Sequence, residues 1–106
     1  MLYICNIMYK TLIIGNIGAD ATVKEIGERQ VVNFSVAVQV RKDLTQWVEC
    51  SYWRNIDQSV RVAEFITKGK KIYVEGQCSA DVWDNKPKLK MNVTSIELIG
   101  NNERDN

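Results

Sequence analysis

Three tryptophans, Trp47, Trp53 and Trp83, stand where strand alternation sets each beside polar residues. In WVECSYW, residues 47–53, an extended backbone puts Trp47, Glu49, Ser51 and Trp53 on one side and Val48, Cys50 and Tyr52 on the other. In KKIYVEGQCSADVW, residues 70–83, Trp83 falls with Tyr73, Glu75, Gln77, Ser79 and Asp81. A tryptophan ordinarily packs in a core, but period 2 places none of these with the valines. Outward indoles invite aggregation unless a partner covers them part of the time. The chemistry such rings offer is stacking against another flat, apolar surface.

Reaction chemistry is poorly supplied. The chain has no histidine, so it lacks the usual general base, metal ligand and triad member, and no enzyme is expected. Three cysteines, Cys5, Cys50 and Cys78, are odd in number and form no CxxC pattern. Neither a disulfide framework nor a zinc site is indicated; no cofactor or metal is expected, and a reducing cytoplasm is the simplest home. The opening MLYICNIM is apolar but lacks a basic leader and a cleavage site, so no signal peptide is expected, and Met8 is an alternative start. No apolar run is long enough for a membrane helix.

The 106 residues fit one domain, expected over residues 1–100 with a loose tail, NNERDN, at 101–106. With 45% hydrophobic and 25% charged residues the chain should fold. Fourteen basic against thirteen acidic side chains leave a net charge of +1, so any basic footprint must be local.

The elements that must carry the rings are mostly strands. Residues 9–16 form the first, ending in a turn at Gly15 and Gly18; residues 23–26 look like a short continuation. A turn at 27–29 leads into QVVNFSVAVQV, where Val32, Phe34, Val36, Val38 and Val40 share the core side. The third strand runs from Gln46 to Arg54. Residues 57–68 change to a helical period, with Asp57 as N-cap and Gly69 after the end. Strand four covers 70–83 and strand five follows the DNKP loop, its register slipping at Ser95 and Ile96. Three strands, one helix and two strands are the order of an all-β OB-fold, a five-stranded Greek-key barrel with one helix between strands three and four. An open meander with a packed helix is the competing topology. The long second and fourth strands favour closure, since they can each bend and pair with two neighbours.

A nucleobase supplies the flat partner on every nucleotide, at about 1–3 kcal/mol per stacked base. Truncating an outward ring such as Trp53 should then cost binding and leave the melting temperature nearly intact. The phosphates need cations, and those near strand ends are Arg41, Lys42, Arg54, Lys86, Lys88 and Lys90. A second copy of the chain could also cover aromatic surface. The better candidate for that contact is the first strand, whose two faces, Tyr9, Thr11 and Ile13 against Lys10, Leu12 and Ile14, are both substantially apolar.

Over residues 8–100 the chain resembles the bacterial single-stranded DNA-binding proteins. The likeness lies in TLIIGNIGAD at 11–20, VNFSVAV at 32–38 with the RKD that follows, the Trp47 strand, and FITKGKKIYVEGQ at 65–77 with Trp83 beyond it. It implies an OB-fold homotetramer that wraps single-stranded DNA without regard to sequence and catalyses nothing, protecting DNA during replication, recombination and repair. It further implies base stacking on Trp47, Trp53 and Trp83, basic contacts at Lys42 and Lys68, and Gly15 and Gly18 as turn formers that touch no ligand.

Several positions depart from that pattern. Val40 stands where the family commonly has a loop aromatic, and Glu49, Ser79, Asp81 and Val82 replace more basic residues. Weaker binding with a shallower salt dependence is expected. The family ends in an acidic-tipped tail that recruits repair and replication enzymes; this sequence stops at NNERDN, as in a truncated or a tailless mobile-element version, and that recruitment is not expected of it. The depleted basic set also keeps open an OB-fold interaction module of the primosome-accessory type. RNA binding of the cold-shock kind is disfavoured, because its aromatic and glycine motif is missing.

Overall fold

A computed structural model describes residues 10–99, so the expected strand start at Tyr9, the alternative start at Met8 and the tail at 101–106 lie outside it. Six strands follow in order: β1 (Thr11–Ile17), β2 (Thr22–Ile26), β3 (Arg29–Arg41), β4 (Leu44–Asn55), β5 (Lys71–Trp83) and β6 (Lys86–Leu98). Pairing runs β1-β5-β6-β4-β3 and closes through β1 with β3, all antiparallel except β4 with β6. The closed ring of five strands is compatible with the OB-fold.

Closure depends on β3 serving two neighbours along one edge. Arg29 to Asn33 pair with β2, and Val36 and Ala37 pair with Ile17 and Asn16 of β1. Residues 22–26 are therefore a sixth strand in their own right rather than an extension of the first, because they bond to β3 beside β1. Gly15 makes the junction tight: a Cβ there would run into the Ala37 carbonyl and lie 2.7 Å from Val36 Cγ1.

Inside the ring sit Ile17, Val32, Phe34, Val36, Val48, Cys50, Ile72, Val74, Met91 and Val93, as their alternation requires. Burial pushes the Cys50 thiol up to about 12, which makes it an unreactive core residue. The inward register outlives the core, however. Val40 and Val82 have the parity of core residues yet are 57% and 71% exposed, because they ride on hairpins that project past the barrel end. Val40 also sits in a bulge between Gln39 and Arg41. The β5–β6 turn is closed by Asp84 and Asn85, both at positive φ, the backbone that two-residue hairpins favour. On β6 the irregularity falls at Thr94, skipped between the Gly76–Val93 and Glu75–Ser95 pairs, one residue before the predicted slip.

The predicted helix over 57–68 is absent. Residues Arg61–Phe65 form a short 3-10 helix without a side-chain cap, and Asp57 caps nothing there. β-Branched residues at 60, 62, 66 and 67 weaken helix formation. Long-range bonds then take the backbone groups a helix would need: Ala21 N–H donates to the Ile66 carbonyl at 2.9 Å, and the Lys68 N–H donates to Asp20 Oδ1 at 2.8 Å. Ile66 itself is fully buried. No helix of the described residues is long and apolar enough to cross a membrane.

Because Ile66 pins this connection into the barrel mouth, Ile66→Ala should cost about 2–5 kcal/mol of stability in urea unfolding. A loss below about 1 kcal/mol would mean that the segment is held by its backbone bonds alone.

Candidate nucleic-acid interface

Burying Val48 and Cys50 in β4 turns its odd residues outward. Register extends that face across the ring. Ala37, Ser35, Asn33 and Val31 of β3 lie opposite Trp47, Glu49, Ser51 and Trp53, while Lys90 and Asn92 of β6 lie opposite Glu49 and Ser51 on the other side. Ser79 and Asp81 of β5 continue it, facing Lys90 and Lys88.

Two adjoining concavities mark the face. One, of about 220 Å³, is lined by Trp47, Lys88, Glu49, Gln46, Pro87 and Leu89. The other, of about 240 Å³, is lined by Trp53, Lys90, Ser51, Ser79, Met91 and Asn92. Each joins one indole to one ammonium group, so a base stacked on the ring would hold its phosphate within reach of a cation.

The two rings are not equally free. Trp47 is 51% exposed. Trp53 is half-buried, and Val31, its register partner, is only 2% exposed although it lies outside the core cluster. Trp53 thus shields apolar surface as well as offering it, so Trp47 is the cleaner probe of binding. Arg29 lies over Trp53, its Cζ 4.7 Å from the ring centroid. Of Trp83 only the backbone is described; it pairs with Lys86 at the base of the β5–β6 hairpin.

The predicted cations scatter. Lys88 and Lys90 join the rings, but Lys90 Nζ lies 3.4 Å from Asp81 Oδ2. Lys86 begins β6 beside them. Arg41 and Lys42 form the exposed β3–β4 turn, where Arg41 Nε is 3.6 Å from Asp43 Oδ1. Lys68 is exposed on the connection from β4 to β5, tied to Asp20 through its backbone. Arg54 does not join the face. Its parity follows Tyr52, and Nη1 donates to the Tyr52 hydroxyl at 3.0 Å.

Alternation could have separated Arg54 from Trp53; the pairing of β3 with β4 was needed to bring in Arg29. Gly18 lies in the bend that follows β1. The described glycines at positive φ are Gly27 and Gly69, so neither Gly15 nor Gly18 is needed for a left-handed turn. Gly18 instead leaves room for the Trp47 indole: a Cβ there would collide with Cζ3 and stand 2.8 Å from Cη2.

The Trp47 ring therefore leans on bare backbone. In a Trp53→Phe/Trp83→Phe background, Gly18→Ala should shift the emission maximum and raise the mobility of the remaining indole. An unchanged spectrum and anisotropy would show that Gly18 does not seat the ring.

Comparison with known proteins supplies the context of this face. The sequence is 34% identical to the single-stranded DNA-binding protein of Onion yellows phytoplasma (strain OY-M) over 101 residues, covering 87% of this chain and 94% of that protein. It is 28% identical over 99 residues to the single-stranded DNA-binding protein of Rickettsia felis (strain ATCC VR-1525 / URRWXCal2), covering 84% of this chain. The chain spans 64% of the length of that relative. The Rhizobium meliloti (strain 1021) protein of the same description is 26% identical over 103 residues. Residues 8–102 match the model of the Single-strand binding protein family, of which this chain is a member.

Proposed function

We propose that this chain binds single-stranded DNA without regard to sequence, through an OB-fold domain at residues 1–100. Bases stack on Trp47, Trp53 and Trp83, and phosphates are met by Lys86, Lys88 and Lys90 with Arg41, Lys42 and Lys68 along the path. The observation that carries this reading is the outward face on which two indoles each share a concavity with a lysine. Relatives named for single-stranded DNA binding support it.

The face is poor in net charge. Glu49 stands opposite Lys90 in register, and Asp81 pairs with the same lysine. A phosphate must compete with a carboxylate there, so stacking carries more of the affinity and salt weakens binding less steeply than for a fully basic face. Protection of transiently exposed DNA in the cytoplasm during replication, recombination and repair suits such a binder.

Self-association fits the other side of the ring. Leu12 and Ile14 project outward from β1, each 55% exposed. They are framed by Glu75, whose carboxyl is held below its ordinary range by hydrogen bonds from Tyr73 and Lys10. This apolar stripe is the contact we assign to the homotetramer.

Titration of intrinsic tryptophan emission with oligo(dT) should give quenching that salt relieves, and duplex of equal length should give little. Trp47→Ala should lose about 1–3 kcal/mol of binding with its melting temperature nearly unchanged. No quenching by either DNA would reject the reading in favour of a protein-interaction module. Light scattering at micromolar concentration should show a tetramer that Leu12→Asp dissociates; a monomeric parent would remove the β1 assignment.

A further inference from the structure

Arg29 occupies a place for which the chain order offers no warning. The Gly27–Glu28 turn delivers it to the first position of β3, where it pairs with Ile26 on β2 and Asn55 on β4. Odd residues of β3 share the outward face with odd residues of β4, so Arg29 stands at the end of the row that holds Trp53, Ser51, Glu49 and Trp47. Its guanidinium lies over the Trp53 ring with Cζ 4.7 Å from the centroid, within the range of a cation–π contact. Arg54, the sequence neighbour of Trp53, is turned to the opposite register and spends its guanidinium on Tyr52, 5.5 Å from that ring and 3.0 Å from its hydroxyl.

The charge environment separates Arg29 from two of the cations near the interface. Lys90 is paired with Asp81 and Arg41 with Asp43. Among the described residues no carboxylate forms an ion pair with Arg29. A guanidinium over an indole can keep N–H donors directed past the ring edge, where the planar fork can grip a phosphate with two hydrogen bonds. An ammonium group could supply the charge but not the stacked plane.

We propose that Arg29, and not Arg54, is the arginine that works with Trp53, alongside Lys90 on the other side of the ring row. It covers one face of the indole, fixing the ring, and leaves the other for a base. The phosphate of the stacked nucleotide then meets the guanidinium edge. The proposal rests on the single-strand reading above and adds a residue to it, extending the path of the strand past Trp53 toward the β2–β3 turn.

Arg29→Gln, Arg29→Lys and Arg54→Gln are compared with the parent by oligo(dT) titration over a salt series, with thermal melting alongside. Arg29→Gln should weaken binding about two- to fivefold at low salt. It should also make the plot of log affinity against log salt shallower by about 0.7, the signature of one lost phosphate contact on a single strand. Arg29→Lys should keep the parent slope while binding more weakly than the parent. Arg54→Gln should lower the melting temperature and keep the slope. The proposal is overturned if Arg29→Gln retains the parent slope, if Arg29→Lys binds as tightly as the parent, or if Arg54→Gln is the variant that loses the phosphate contact. A parent that does not bind oligo(dT) at all rejects the single-strand reading itself, whereas a binding parent with an indifferent Arg29 rejects only this residue's part in it.

Discussion

The organisation of this molecule follows from the parity of β4. Val48 and Cys50 are buried between β3 and β6, and a strand cannot bury its even residues without turning its odd ones outward. A slip of one residue would bring Trp47 and Trp53 inside and put the core valine in water. Core formation and the presentation of the rings are therefore a single event. The apolar interior of the barrel holds the two β4 rings in place, and no separate device is needed to turn them outward.

Around that strand the ring supplies complements that no single strand contains. The parallel pairing of β4 with β6 brings Lys88 and Lys90 alongside the tryptophans. The antiparallel pairing with β3 brings Gly18 and Arg29 into play by different routes: one precedes β2 and seats Trp47, the other begins β3 and covers Trp53. Each ring thus meets a fixed neighbour supplied by another part of the fold. Backbone bareness at Gly18 and a cation at Arg29 each restrict an indole from outside the core.

Electrostatically the face is a compromise. Carboxylates at Glu49 and Asp81 stand against Lys90, and Asp43 against Arg41. Exposed pairs of this kind contribute little to stability. Their weight falls on the interaction with a polyanion, which must displace an acid wherever it meets one of these cations. Stacking, by contrast, is independent of charge and of base identity. On the proposed reading, a face of this composition relies on flat rings for adhesion and uses its few unpaired cations to order the backbone between them.

Much of this was legible along the chain. Period 2 separated Trp47 and Trp53 from Val48 and Cys50 and marked Val32, Phe34 and Val36 as core, because alternation is a property of the extended backbone alone. Local signals failed where partners outside the segment decided. The apolar spacing over 57–68 suggested a helix, but backbone bonds to Ala21 and Asp20 and the burial of Ile66 held that segment as one short 3-10 helix. Val40 and Val82 share the core parity yet lie in water, since alternation does not tell where a barrel ends. Which arginine lies against which ring was likewise a tertiary matter. Arg54 is next to Trp53 in the chain and turned away from it in space, whereas Arg29 is distant in the chain and lies over its ring. Sequence alone determined which faces the strands would show; only the closed pairing of β3, β4 and β6 decided what those faces would meet, because register between strands is set by partners far apart in the chain.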